Sequence, residues 1–112
     1  MNLAKTGKMT YDRTGKGEKR MKNVMMFYLE SCGYCDKARR ALVELRDELP
    51  GVDLCSIQMV EESLEPEFAE QFDYYAVPTF YVDGVKLFEA HIGMSYEDIK
   101  REVRRVLEVA LA

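Results

Sequence analysis

The chain has 112 residues, a net charge of −4 and 47% hydrophobic residues. That is the composition of a single small globular domain with enough apolar residues for a modest core. The acidic balance argues against general nucleic-acid binding. No apolar run reaches the length of about 18 residues that a transmembrane helix needs, and the N-terminus has no apolar signal-peptide centre, so the chain is expected to be cytoplasmic.

Charge is unevenly spread, +5 over residues 1–23 and −9 over residues 24–112. Residues 1–20 contain three glycines and no apolar period. They read as a disordered extension or a cloned leader, with a basic docking arm as the alternative. The folded domain is expected over residues 22–112. Residues 24–29 are apolar throughout, as a central strand covered on both faces would be. A helical pattern follows over 33–49, with Ala38, Ala41, Leu42, Leu45 and Leu49 recurring at its spacing, and Pro50-Gly51 stops it. Residues 52–58 read as a second strand with Cys55 in its middle, a buried and inert core cysteine.

Pro66 suits a helix first turn, and that second helix is expected to run through Phe68, Ala69 and Phe72 to about Asp73. Residues 79–82 and 85–90 flank Asp83-Gly84, a strong hairpin signal that makes these two strands antiparallel. Ser95, with Asp98 three residues on, opens a last helix with Ile99, Val103, Val106, Leu107 and Ala110 on one face. The order β-α-β-α-β-β-α, with a right-handed crossover in the first unit, predicts an α/β fold. It is a mixed four-stranded sheet with helices on both faces.

Chemistry is concentrated at Ser31-Cys32-Gly33-Tyr34-Cys35, where the first strand meets the first helix. A thiolate is the nucleophile of thiol–disulfide exchange, and the unpaired amides of a helix start favour negative charge on a sulfur placed there. Cys32 is therefore the candidate attacking residue, and Cys35, one turn further in, the resolving one. Gly33 is read as easing a tight turn. A Cys-x-x-Cys pair also suits zinc or an iron–sulfur cluster, so a carrier using the same two cysteines is an alternative of another class. The pair, with only one further cysteine, fits a reactive site in a reducing compartment better than a disulfide scaffold.

Three features together carry a resemblance. Cys32-Gly33-Tyr34-Cys35 lies between strand and helix, Val77-Pro78-Thr79 comes about forty residues later just before a strand, and Asp83-Gly84 and Gly93 bracket the last strand. From Lys22 to Ala112 the chain resembles the thioredoxin superfamily, in its thioredoxin and glutaredoxin branch. The resemblance implies a near-minimal thioredoxin fold and a protein disulfide oxidoreductase that cycles Cys32 and Cys35 between dithiol and disulfide, with no bound cofactor. It implies a cis bond before Pro78 and a substrate site formed by Gly33, Tyr34, Val77, Pro78 and Thr79, where a substrate backbone adds to Val77 as a strand. Its implied partners are disulfide-containing proteins and either thioredoxin reductase or glutathione, with the protein a monomer away from membranes and nucleic acid.

The chain mixes the two branches. Its motif has the glycine of one and the tyrosine of the other, and Ser31 stands where thioredoxins have tryptophan. Met26 occupies the position of their buried aspartate, so no carboxylate relays a proton there. Glutaredoxins have Thr-Val-Pro and a Gly-Gly plus acidic segment where this chain has Ala76-Val77-Pro78 and Gly93-Met94. The reading leans to a thioredoxin type, with a glutathione-dependent glutaredoxin as the alternative. Lys37, Arg39 and Arg40 are read as a solvated helix face, with stabilisation of a thiolate or attraction of glutathione carboxylates as the alternative. His91 is read as a surface or packing residue. Tyr74 and Tyr75 either line a substrate groove or pack.

Overall fold

Val24–Tyr28, a run without a charged side chain, forms the central strand β3 of a four-stranded sheet, and its residues alternate between two apolar layers. The computed structural model describes residues 10–11, 17–18 and 21–112. Within the N-terminal segment, β1 (Thr10–Tyr11) pairs antiparallel with β2 (Gly17–Glu18). The expectation of a disordered extension or leader over residues 1–20 otherwise falls outside the described residues.

Helix α1 (Gly33–Glu48) follows β3 and buries Cys35, Ala38, Ala41, Leu42 and Leu45. The chain then departs from expectation. Of the residues 52–58 expected as a strand, only Gln58 is in one. The Asp53 carboxylate accepts from the Cys55 amide at 3.1 Å and from the Ser56 hydroxyl at 2.6 Å, which winds Leu54–Ser56 into one 3₁₀ turn. This is the local side-chain competition with the backbone that aspartate offers. Strand β4 begins only at Gln58 and runs to Glu61, parallel to β3 with Met25 opposite Gln58 and Tyr28 opposite Glu61. Cys55 is consequently exposed, not a core cysteine.

Helix α2 (Pro66–Ala69) has Pro66 in its first turn, as expected, but ends after one turn. Beyond it the amides of Gln71 and Phe72 bond back three residues, to Phe68 and Ala69, a tighter winding than the expected helix to Asp73. Strands β5 (Thr79–Val82) and β6 (Val85–Glu89) form the antiparallel hairpin. Its two turn residues both have positive φ, 48° at Asp83 and 83° at Gly84, the backbone of the primed turn that Asp-Gly favours. The sheet order is β4-β3-β5-β6, with β5 antiparallel to β3.

Helix α3 (Tyr96–Leu111) closes the fold with the expected face buried, Ile99, Val103, Val106, Leu107 and Ala110. Helices α1 and α3 pack on one side of the sheet, over Val24, Met26, Phe80, Val82 and Phe88. The other side carries Phe27, Val60 and Tyr81 under Ala69, with Phe68, Phe72 and Tyr74 against them. The predicted α/β architecture, a mixed sheet with helices on both faces, is the one observed.

The start of α3 is a full capping box. The Asp98 amide donates to Ser95 Oγ at 3.0 Å, and the Ser95 amide donates to Asp98 Oδ2 at 3.0 Å. Ser95→Ala removes the acceptor for one helix-end amide and is expected to cost about 1 kcal/mol. Urea unfolding measures it: the midpoint falls with unchanged slope, and an unmoved midpoint refutes the assignment.

Candidate active site

Cys32 caps α1 from an extended conformation (φ −101°, ψ 118°), and its sulfur accepts from the Cys35 amide at 3.1 Å. Such a bond at a helix start favours charge on the sulfur. The Cys32 thiol also lies 3.7 Å from the Val77 carbonyl, across the gap between the cysteine turn and the loop before β5. The residue is half-buried, whereas Cys35 is completely enclosed. Burial first, and the hydrogen bond with Cys32 second, push the Cys35 thiol up to about 12. The two cysteines therefore differ: Cys32 is half-buried at the helix start, and Cys35 is enclosed, its thiol held protonated.

Gly33 has an ordinary backbone, and a Cβ built on it meets nothing within 4 Å. Neither a positive φ nor a close neighbour calls for glycine at this turn. What Gly33 provides is open space beside Cys32. Tyr34 points across the site, its hydroxyl accepting from the Gly93 amide at 2.7 Å. That bond ties the cysteine turn to the segment leading into α3. The Lys37 ammonium lies 5.2 Å from the centre of the Tyr34 ring. Arg39 pairs with Asp36 and lies over the Tyr28 ring, and Arg40 stacks on Tyr96 at 4.2 Å. All three cations already have aromatic or carboxylate neighbours.

The Val77–Pro78 peptide bond is cis. Pro78 and Thr79 are buried, and Thr79 donates its hydroxyl to the Ala76 carbonyl at 2.5 Å. Tyr74 both packs and borders a groove, whereas Tyr75 stands open. Tyr74 stacks on Phe27 with ring centres 4.7 Å apart and donates to Glu62 at 2.5 Å. Tyr75 is 94% exposed. Both border a groove of about 320 Å³, whose other walls include Glu62, Pro66 and Phe72.

Two carboxylates organise the site without having been marked in the sequence. Glu61, at the end of β4, is buried and accepts from the Glu30 amide at 3.0 Å and from the Ser63 amide and hydroxyl at 2.7 and 2.6 Å. The bonds from the Ser63 hydroxyl and the Glu30 amide hold its carboxyl below the usual range. It thereby holds the backbone of Glu30, two residues ahead of Cys32. Glu89, the last residue of β6, accepts from the Tyr75 and Ala76 amides at 2.6 and 2.8 Å through one oxygen, and from Lys86 at 2.8 Å through the other. Burial pushes its carboxyl up, but the bonds from Lys86 and the two amides outweigh that and keep it below the usual range.

His91 is exposed. Among the described residues no group of three or more His, Cys, Asp and Glu side chains comes together as a metal site, and no helix is long and apolar enough to cross a membrane. No family model and no curated protein matches the sequence. Among solved structures it is similar to mitochondrial thioredoxin 3 of Saccharomyces cerevisiae in its oxidised form. The identity is 24% and the TM-score 0.52, over 78% of this chain and 80% of that one. Sheet order, helix placement and this likeness agree that the chain has the thioredoxin fold.

Proposed function

We propose that the protein is a thiol–disulfide oxidoreductase of thioredoxin type that reduces disulfides of protein substrates in the cytoplasm. The observation that carries this reading is the asymmetry of the pair. Cys32 is reachable, sits at the helix start and faces the Val77 carbonyl, and Cys35 lies enclosed one turn below.

In the proposed cycle the Cys32 thiolate attacks one sulfur of the substrate disulfide. A Cys32–substrate disulfide forms, and the other substrate sulfur leaves as a thiolate. Cys35 then loses its proton, to that thiolate or to water, and attacks the Cys32 sulfur. The Cys32–Cys35 disulfide forms and the second substrate thiol departs, so two electrons have passed from the protein to the substrate. With Met26 in the strand below, this chain has no aspartate there to take the proton. A substrate strand lies along Val77, as strand addition to an exposed backbone edge allows, and the open space over Gly33 admits its sulfur.

Recycling tests the reading. The oxidised protein is supplied in one reaction with NADPH and a thioredoxin reductase, and in another with NADPH, glutathione and glutathione reductase. Turnover of insulin disulfides is expected in the first. Turnover in the second alone makes the protein glutaredoxin-like and moves attention to Lys37, Arg39 and Tyr34. Turnover in neither overturns the proposal and favours the carrier reading, which zinc analysis and visible absorbance then decide.

A further inference from the structure

We infer that Glu89 is a positioning residue that sets selectivity for protein disulfides over small ones, by clamping the loop that presents Val77. The inference rests on the proposed disulfide exchange at Cys32. Tyr75 is 94% exposed, and the neighbouring residues Ala76 and Val77 are only half-buried. A segment so open needs something to hold its shape. The Tyr75 and Ala76 amides are neighbours in sequence, and both donate to Oε2 of Glu89. One carboxylate oxygen thus gathers two consecutive amides, and charged acceptors make the stronger hydrogen bonds.

Lys86 occupies the other oxygen, Oε1, and both it and Glu89 stand on β6. From the far side, Thr79 holds the Ala76 carbonyl. Ala76 is therefore fixed through both its amide and its carbonyl, one residue before Val77, whose own carbonyl faces Cys32 at 3.7 Å. A protein substrate that pairs with the Val77 backbone needs this loop in place. A small disulfide needs only the Cys32 sulfur. Glu89 therefore acts on the first class and not on the second, and touches neither.

Glu89→Ala is the test, read with insulin and with hydroxyethyl disulfide as substrates. The KM for insulin is expected to rise about tenfold, the loss of one strong polar contact, with kcat little changed and the small-disulfide rate within about twofold of the parent. Amide hydrogen exchange gives a readout independent of activity: Tyr75 and Ala76 exchange about tenfold faster while β5 amides keep their protection. Lys86→Met, which leaves Oε2 with its two amides, keeps the parent KM.

Three results overturn the inference: an unchanged insulin KM, an equal loss on both substrates, or a Lys86→Met variant that copies Glu89→Ala. If the alanine variant does not fold, Glu89→Gln carries the same readouts with a smaller rise of about threefold, and parental exchange at Tyr75 and Ala76 then refutes the clamp. If no disulfide is reduced by any form, the function proposed above fails, while the exchange data still decide whether Glu89 holds the loop.

Discussion

Cys35→Ser is expected to arrest the protein as a covalent adduct with its substrate, seen by mass spectrometry and released by a reducing agent. Cys32→Ser is expected to form no adduct at all. Both lose turnover of protein disulfides by at least about a thousandfold, as removal of a nucleophile that works as part of a unit does. The different adducts follow from the different settings of the two sulfurs. Cys32 stands half-open at the start of α1 with the Cys35 amide directed at it. Cys35 is enclosed, and burial and its bond to Cys32 keep its thiol near 12, so it is a poor first attacker at neutral pH. In the proposed cycle it acts only after a disulfide has formed on its neighbour. A Cys35→Ser variant that turns over insulin normally refutes the two-cysteine cycle. A variant that keeps activity only with glutathione identifies a route through Cys32 alone. Cys55→Ser, on the exposed turn before β4, leaves both activities unchanged.

Phe27→Ala is expected to be the most damaging single change to stability, about 3–5 kcal/mol. Phe27 is completely buried, and four rings surround it, with centres 4.7 Å away for Tyr74, 5.0 Å for Phe72, 5.8 Å for Tyr81 and 6.3 Å for Phe68. Removing the ring leaves a cavity and takes the shared partner from an aromatic cluster. Natural domains have about 5–15 kcal/mol in all, so the loss takes a large share. Denaturant titration at constant slope measures it. A loss below about 1.5 kcal/mol means that the cluster closes over the gap and that Phe27 is not its centre. Val43→Ala, at a position 48% exposed on α1, is the matched control and moves the midpoint little.

Much of the fold was legible because the signals that specify it are local. β3 is an uninterrupted apolar run, the β5–β6 turn is spelled by Asp83-Gly84, and α3 is announced by Ser95 and Asp98 and by its apolar period. The core of the site was legible for the same reason. Cys32 and Cys35 are three residues apart, and their place between strand and helix follows from the flanking patterns. The stretch 52–58 misled because its alternation is strand-like, while the outcome turns on one side chain, Asp53, that satisfies the Cys55 amide locally. Glu61 and Glu89 were not legible at all. Each acts on backbone far away in sequence, Glu30 in one case and Tyr75 and Ala76 in the other. A carboxylate whose partners are main-chain amides leaves no complementary residue type to search for. Only the assembled sheet brings them together.

The pairing of β5 with β6 skips Leu87: Phe80 stands opposite Phe88, and Tyr81 opposite Lys86. This places a kink and a charged side chain on the strand that bounds one side of the sheet. Unprotected borders of this kind invite another molecule to zip on and begin a growing assembly, and an irregular border carrying lysine resists it. A protein that, in the function proposed above, offers Val77 to foreign strands runs that hazard more than most. The skipped residue and Lys86 let it present one short length of backbone at the thiol while the flank of the same sheet stays uninviting, so crowding at high concentration is met by repulsion and misfit instead of fibre growth.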